Sequence, residues 1–255
     1  CRNLPSAVMW HEMVFRSRSD PITQVPSFGR VLKDLSKTFS LKHHFDTQSL
    51  SDPLPGLIEI TRLITNYGRR LHDMLAEKMF TLSQRLLWRN GTVRERLRES
   101  KTVLFICYGN INRSALAQSL MTAQLPAASK LKVLSAGFHR EEQRPADPRM
   151  VRVAAAQGVD LTRSRSRLVG DRLLAESDII FVMERDHRKR LVALNPKVAN
   201  KTFSLGACLT GPKRLHAEIA DPYNKSETAY RACFHDIQRA VACVVRQLPP
   251  HHADH

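Results

Sequence analysis

Short apolar segments alternate with helical segments along the second part of the chain, and this alternation constrains the fold more than any other feature. Thr102–Cys107 (TVLFIC) is a run of β-branched and apolar residues suited to a buried strand. Similar runs make three further strand candidates, at Leu131–Ser135, Asp178–Met183 and Lys201–Leu205. Helical spacing recurs between and after them, over Asn112–Leu125, Asp147–Gln157, Glu184–Leu194 and Ser226–Gln247. The alternation predicts an α/β fold, with a parallel sheet that helices cover on both faces.

The first hundred residues have a different pattern. Residues 1–55 contain prolines among short polar stretches, which predicts loops with one helix around Val31–Leu41. Apolar residues then recur every three or four positions, which predicts a long helix over residues 57–86. Asn90-Gly91 is a typical helix end. We therefore expect a mainly helical N-terminal extension.

A composition change near residue 100 suggests a domain boundary. Arginines alternate with glutamates over residues 94–101, which we interpret as a charged connector. The predicted parts are a helical region of unknown role (1–99), an α/β domain (100–250) and a disordered tail (251–255).

The apolar stripe of the predicted helix at 57–86 has three interpretations. It packs on the α/β domain, pairs with a second chain, or lies on a membrane surface. The polar face carries both signs of charge, including Glu59, Arg62 and Asp73, whereas a membrane-surface helix would be more uniformly basic. We favour packing within the chain or a dimer through this helix.

Composition narrows the class of protein. The chain of 255 residues has 40 Lys and Arg against 24 Asp and Glu, a net charge of +16, which suits phosphate-bearing partners. No apolar run approaches the roughly 20 residues of a membrane-spanning helix. The five cysteines form no Cys-x-x-Cys pair, which disfavours a disulfide scaffold and a zinc ribbon. A reducing, cytoplasmic compartment fits better.

The loop after the first strand candidate carries the main chemical signal. Cys107 ends that strand, and Arg113 and Ser114 open the next helix. A loop that enters a helix N-terminus directs backbone N–H groups and positive potential at one point, which suits a phosphate. Gly109 and Asn110 tolerate the left-handed backbone such a loop needs. Arg113 can clamp phosphate oxygens, and Cys107 as a thiolate can attack the phosphorus.

A second candidate site follows the fourth strand candidate. Asp221-Pro222-Tyr223 offers a carboxyl group that can protonate a leaving alkoxide or phenoxide and later accept a proton from water. Pro222 would stiffen the loop, and Tyr223 could stack on an aromatic leaving group.

Together these residues resemble the low-molecular-weight protein tyrosine phosphatases. That family has a Cys-x5-Arg-Ser loop after its first strand and an Asp-Pro-Tyr loop near its C-terminus. The resemblance covers residues of about 100–250 and includes three further segments: Ser135–Gly137, Pro145–Pro148 and Gly158–Leu161.

The resemblance implies a four-stranded parallel sheet with flavodoxin-like winding, and a phosphatase domain at 100–250. It also implies phosphomonoester hydrolysis without metal or cofactor, through a cysteinyl-phosphate intermediate. Carried over by position, Cys107 is the nucleophile, Arg113 the phosphate clamp and Asp221 the acid and then the base. The remaining positions are expected to support the loop or contact phosphate and substrate: Tyr108, Gly109, Asn110, Ile111, Asn112, Ser114 and Tyr223.

The sequence departs from the family at two positions. Asn112 stands where members usually have a second loop cysteine, so oxidative protection by a disulfide with Cys107 is not expected. Ser164 stands roughly where a histidine often braces the loop asparagine, so the bracing must differ. Residues 183–195 contain no cysteine, which argues against the related arsenate reductases, whereas Ile111 resembles the tyrosine-specific branch.

Three functions follow in order of preference. The first is a protein tyrosine phosphatase acting on phosphotyrosine-containing proteins. The alternative is a weakly catalytic or non-catalytic module that binds phosphate or phosphopeptides. Nucleic-acid binding through the basic surface ranks last.

Overall fold

The computed structural model describes residues 55–209 and 216–249. The predicted helix around Val31–Leu41 and the predicted tail at 251–255 lie outside the described residues. None of the helices in the described part of the chain has the length and apolar character needed to cross a bilayer.

A four-stranded parallel sheet forms the centre of the fold, as predicted. Its strands are β1 (Thr102–Cys107), β2 (Lys132–Gly137), β3 (Ile179–Val182) and β4 (Thr202–Ser204). The spatial order is β2-β1-β3-β4, with every neighbouring pair parallel. All six residues of β1 are buried, which explains why this central strand has an uninterrupted apolar sequence.

Helices connect and flank the strands. They are α1 (Pro55–Arg89), α2 (Thr92–Glu99), α3 (Arg113–Gln124), α4 (Pro148–Ala155), α5 (Asp171–Glu176), α6 (Arg185–Leu194) and α7 (Glu227–Val245). Short 3-10 helices flank β4 at Pro196–Lys201 and Leu205–Cys208. Side chains cap two of the α-helices, because Asp147 accepts a hydrogen bond from the Arg149 N–H and Ser226 accepts one from the Ala229 N–H. The short α5 and the 3-10 helices were not predicted.

The two faces of the sheet have separate apolar cores, as alternating strand residues require. Val103, Phe105 and Cys107 face one core, shared with α3, α4 and α7. Leu104 and Ile106 face the other, shared with α5 and α6. The carboxyl end of β1 therefore lies between two packed layers, which hold the loop after Cys107 in place.

The interpretation of residues 94–101 as a charged connector is wrong. Residues 92–99 form α2, and its two apolar residues, Val93 and Leu97, are buried in the same core as the apolar residues of α3, α4 and α7. They lie four positions apart and so share one helix face, while the arginines and glutamates occupy the rest of the surface. The division of the chain at residue 100 remains a prediction.

The apolar stripe of α1 is not the face that packs on the sheet. Leu71, Met74, Leu75, Met79, Leu82 and Leu86 are between 42% and 67% exposed. The buried face of the last turns consists instead of Thr81, Gln84 and the partly buried Trp88, whose ring stacks on Phe181 at 5.8 Å between centroids. The predicted packing of this helix within the chain is thus present, but it uses the polar residues Thr81 and Gln84 and not the apolar stripe. Pairing with a second chain through the stripe stays a prediction.

The neighbouring strand edge explains this polar face. β4 is the last strand of the sheet, and the outer side of an edge strand presents backbone groups without ladder partners. The Ser204 N–H donates to Gln84 Oε1 at 2.8 Å, and the Trp88 indole N–H donates to the Ser204 carbonyl at 3.1 Å. Two side chains of α1 therefore satisfy the edge in place of a further strand.

We expect Leu97→Ala to destabilise the fold strongly, because it removes a fully buried side chain of α2 from the core. The free energy of unfolding, measured by guanidinium denaturation, should fall by about 3 kcal/mol. Leu82→Ala on the exposed face of α1 is the matched control and should change it by less than about 0.5 kcal/mol. Equal effects of the two substitutions would contradict the packing of α2.

Candidate active site

The loop from Cys107 to Arg113 connects the carboxyl end of β1 to the first turn of α3. Asn110 has a φ of 52°, the left-handed conformation predicted for the loop. Gly137 at the end of β2 lies directly against it. A Cβ at residue 137 would lie 2.6 Å from the Tyr108 carbonyl oxygen and 2.9 Å from the Asn110 nitrogen. The loop can pack this closely on β2 only because residue 137 is glycine.

The Cys107 sulfur is surrounded by hydrogen-bond donors. Cys107 is only 2% exposed, and its Sγ accepts from the Asn110 backbone N–H at 3.3 Å. The Ser114 hydroxyl oxygen lies 3.0 Å from the sulfur. Asn110 Nδ2 donates to that oxygen at 2.9 Å. The hydroxyl hydrogen of Ser114 is therefore free to point at the sulfur or at the Ala136 carbonyl, 3.3 Å away.

The Asn110 side chain is braced from both ends, and not by residue 164. Its Nδ2 also donates to Ser135 Oγ at 2.9 Å, and its Oδ1 accepts from the Arg167 backbone N–H at 2.8 Å. The Ser135 hydroxyl in turn donates to Gln118 Oε1 at 2.6 Å. Ser135 and Arg167 thus supply the different bracing that the absence of the histidine led us to expect.

Arg113 lies buried at the centre of the site, with 1% exposure. Nη1 donates to the Glu184 carboxylate and, at 3.0 Å, to the Ile219 carbonyl oxygen. Nη2 pairs with Asp221 Oδ2 at 2.8 Å. Nε is buried and has no hydrogen-bond partner among the described residues. One donor of the guanidinium therefore remains able to bind an oxyanion.

Neighbouring groups stabilise the charged form of Arg113. Burial alone lowers the pKa of the guanidinium, but Cys107, Glu184 and Asp221 outweigh burial and raise that pKa above its ordinary value. A cation therefore persists in the pocket across the accessible pH range.

His187 in the first turns of α6 remains uncharged beside this cation. Burial, and secondarily the Arg113 charge, lower the pKa of His187 to about 3. Its ring stacks on Phe138 at 5.8 Å between centroids. The ring Nδ1 is buried without a hydrogen-bond partner among the described residues. The imidazole is therefore neutral at physiological pH.

Two tyrosines predicted to contact substrate are accessible. Tyr108 is 46% and Tyr223 is 51% exposed. The Arg190 guanidinium lies 5.5 Å from the centroid of the Tyr108 ring, within the range of a cation–π contact. The Tyr223 N–H donates to Asp221 Oδ1 at 3.3 Å, which links this tyrosine to the carboxylate.

Two of the other predicted loop residues connect the loop to neighbouring segments through their backbone carbonyl groups. The Gly109 carbonyl accepts from Arg144 Nη2 at 2.8 Å, and the Ile111 carbonyl accepts from the Asp147 N–H at 2.9 Å. Asn112 is buried, and its Oδ1 has no hydrogen-bond partner among the described residues. The side chain of Asn112 therefore brings an uncompensated amide oxygen to the place of the usual second cysteine.

The fold brings two sets of contacts to the same loop: Cys107, Asn110 and Ser114 hydrogen-bond with one another, and Arg113 pairs with Asp221, which is far from the loop in sequence. The sequence patterns did not predict the contacts of Arg113 with Glu184 and with the Ile219 carbonyl oxygen. Glu184 lies two residues after the end of β3, at the same edge of the sheet as Cys107 at the end of β1, so the rule that ligands bind beyond the carboxyl ends of parallel strands could have found it.

Ser135 lies in a segment quoted for the resemblance but was given no role. The Ile219 carbonyl has no sequence signal, because any residue can supply a backbone oxygen.

The arrangement suits chemistry on a phosphate ester. A sulfur with hydrogen-bond donors, a guanidinium with an uncommitted N–H and a carboxylate at 2.8 Å from that guanidinium can supply a nucleophile, an anion clamp and a proton carrier. Across the described residues, no group of three or more His, Cys, Asp or Glu side chains is arranged to hold a metal ion.

The low pKa of His187 predicts a loss of stability in acid. The unfolded chain binds a proton at this residue below about pH 6.5, whereas the folded chain does so only near pH 3. The contribution of neutral His187 to the free energy of unfolding is therefore complete above pH 6.5. It decreases by about 1.4 kcal/mol per pH unit as the pH falls towards 3.

His187→Phe removes the titrating group and keeps an aromatic ring against Phe138. The unfolding free energy of this variant, measured in urea from pH 7 to pH 4.5, should fall less steeply with acidification than that of the wild type. Parallel pH curves would show that His187 titrates in the folded protein with the same pKa as in the unfolded chain, and would contradict the prediction.

Comparison with known proteins gives consistent matches over the α/β domain. The sequence profile of the family described as low molecular weight phosphotyrosine protein phosphatase matches residues 102–252. The probable low molecular weight protein-tyrosine-phosphatase EpsP of Ralstonia nicotianae is 36% identical over 148 residues, which are 58% of this chain and 96% of EpsP. The phosphatase Etp of Escherichia coli K12 is 34% identical over 139 residues, 54% of this chain and 88% of Etp.

Solved structures show the same fold. The crystal structure of the Erwinia amylovora tyrosine phosphatase AmsI superposes with a TM-score of 0.52 at 31% identity, over 58% of this chain and 92% of AmsI. The tyrosine phosphatase Wzb from Escherichia coli K30, in complex with sulphate, superposes with a TM-score of 0.51 at 29% identity, over 56% of this chain and 94% of Wzb. The family predicted from the motifs is therefore confirmed, and the chain belongs to the low molecular weight phosphotyrosine protein phosphatases.

Proposed function

We propose that this protein hydrolyses phosphotyrosine in protein substrates through a cysteinyl-phosphate intermediate on Cys107. The observation that carries the proposal is the placement of Arg113 beside both the Cys107 loop and Asp221, at 2.8 Å from the Asp221 carboxylate. The substrate class is supported by the names of the relatives, which are protein tyrosine phosphatases. Sulphate in the Wzb complex has the tetrahedral shape and the anionic charge of phosphate.

The first step transfers the phosphoryl group to sulfur. The Cys107 thiolate attacks phosphorus, a sulfur–phosphorus bond forms, and the bond to the tyrosine oxygen breaks. The Asp221 carboxyl group donates its proton to the departing phenolate. Arg113, through Nε–H and the second N–H of Nη2, binds the equatorial phosphoryl oxygens and balances their charge.

The second step releases phosphate. Water attacks the phosphorus of the intermediate while the Asp221 carboxylate accepts a proton from it, and the sulfur leaves as a thiolate. The Ser114 hydroxyl, 3.0 Å from the sulfur, stabilises that leaving thiolate by donating a hydrogen bond. The network through Asn110 keeps the hydroxyl oriented for this task, because Asn110 occupies its acceptor side.

The finer assignments are part of the same proposal. The exposed rings of Tyr108 and Tyr223 form the rim that receives the phosphotyrosine ring.

The free thiols of the described residues suit a reducing compartment, and we place the protein in the cytoplasm. The exposed stripe of α1 suits a dimer. Nothing in the family comparison favours the alternative of a non-catalytic phosphate-binding module.

Replacing the proposed nucleophile tests the chemistry directly. Cys107→Ser should reduce hydrolysis of an aryl phosphate, measured without added metal, by roughly 10⁴-fold or more, because a serine hydroxyl is not ionised at neutral pH. Cys243→Ser on α7 is the matched control and should keep full activity. Undiminished turnover by Cys107→Ser would end the proposal.

The proposed proton carrier is tested by Asp221→Asn, which removes the ionisable group and preserves the shape of the side chain. We expect kcat to fall by about 10²–10³-fold and the pH profile to lose the limb that reports the carboxyl group. Asp171→Asn, at the exposed start of α5, should leave both unchanged. A wild-type pH profile in Asp221→Asn would assign the proton transfer to another group.

A further inference from the structure

The end of α1 contacts two segments that are distant in sequence. Gln84 and Trp88 bind the backbone of Ser204 in β4. Thr81, one turn earlier, accepts a hydrogen bond on Oγ1 from the Ala217 N–H at 3.3 Å. Glu77, another turn earlier, pairs with His216. One face of the helix therefore follows the edge of the sheet and then the segment that leads to Asp221.

The same segment is joined to the edge strand and to the active site. The Ser204 hydroxyl donates to the Ala217 carbonyl, so α1 reaches Ala217 both directly through Thr81 and indirectly through Ser204. The Ile219 N–H donates to the Met183 carbonyl at 2.9 Å, and the Ile219 carbonyl accepts from Arg113 at 3.0 Å. Two residues further on, Asp221 pairs with Arg113.

This segment depends on such contacts for its position. Residues 216–222 belong to no helix or strand, and both Ala217 and Ile219 are buried. A buried backbone N–H requires an acceptor, and for Ala217 the acceptor comes from α1. Gly206, after β4, completes the fit, because a Cβ there would lie 2.6 Å from the Ala217 carbonyl oxygen.

We propose that α1 positions the loop that carries the proton donor, with Thr81 and Gln84 as positioning residues for Asp221. This inference rests on the proposed function, in which Asp221 protonates the leaving group. The family match begins at residue 102, so the helix lies outside the matched region and adds a contact layer to the domain. Its last turns act from behind the loop and do not touch the substrate.

A purely structural role for α1 makes a different prediction. If α1 only covers the sheet edge, weakening its contacts would lower the stability and the amount of active protein. The activity would then fall by the same factor for every substrate. A helix that positions Asp221 would, when weakened, affect most the substrates that need protonation of the leaving group. The dependence of rate on the leaving group therefore separates the two roles.

The experiment measures kcat/KM of the full chain for a series of aryl phosphates whose phenols differ in acidity. With Asp221 in place, the rate depends weakly on the acidity of the phenol, because the departing oxygen receives a proton. Thr81→Val removes the acceptor of the Ala217 N–H with little change of shape. We expect a roughly 10-fold loss on phenyl phosphate and at most about a 2-fold loss on 2,4-dinitrophenyl phosphate.

Matched variants identify the hydrogen bond as the cause. Thr81→Ser retains the hydroxyl and should restore the wild-type dependence. Thr65→Val makes the same substitution at an exposed position of α1 and should have no effect. Gln84→Met, which removes the acceptor of the Ser204 N–H, should steepen the dependence as Thr81→Val does, whereas Gln84→Glu retains an acceptor and should not. Thermal unfolding of each variant confirms that folded protein is compared.

The outcomes separate the inference from the function on which it rests. Suppose that the wild type is active and that this activity depends on Cys107. An unchanged leaving-group dependence in both Thr81→Val and Gln84→Met would then overturn the positioning role alone. A uniform loss on all substrates would also overturn it. A wild type that turns over no aryl phosphate, or a fully active Cys107→Ser, would overturn the proposed function and the inference with it.

Discussion

The burial of a guanidinium at the end of the central strand is the constraint on which the rest of the site depends. Arg113 is removed from water, and an unpaired charge in that position would be strongly unfavourable. Its counter-charges and acceptors come from three separate places: the end of β1, Glu184 two residues after β3, and the segment that precedes α7. The requirement to solvate one cation internally therefore draws together the ends of two strands and a loop.

Local chemistry explains which parts of this arrangement could be predicted from the sequence. The strand that ends at Cys107, the left-handed Asn110 and the helix that begins at Arg113 follow one another along the chain, so their pattern is readable without tertiary information. Asp221 was predicted because Asp221-Pro222-Tyr223 matches the general-acid loop of the family that the sequence resembles. Glu184 is marked in the sequence only by its position near the end of the third strand, and its place opposite Arg113 depends on the adjacency of β1 and β3 in the sheet.

The N-terminal helices show where hydrophobic periodicity misleads. The stripe of leucines and methionines on α1 predicted the packed face, yet the packed face contains Thr81 and Gln84. Periodicity reports where apolar surface can be buried, whereas a sheet edge needs hydrogen-bond partners, which only polar side chains supply. In α2 the opposite error occurred, because its abundant charge concealed two apolar residues that suffice to anchor a two-turn helix.

The pair of carboxylates on Arg113 has a consequence for turnover. Glu184 and Asp221 pair with Nη1 and Nη2 of Arg113, so an anion that binds at the unpaired Nε must compete with two carboxylates of the protein itself for the charge of the guanidinium. Inorganic phosphate, the product, meets the same competition without the aromatic contacts of a substrate. Built-in competitors of this kind weaken product retention and keep the pocket available in a phosphate-rich medium.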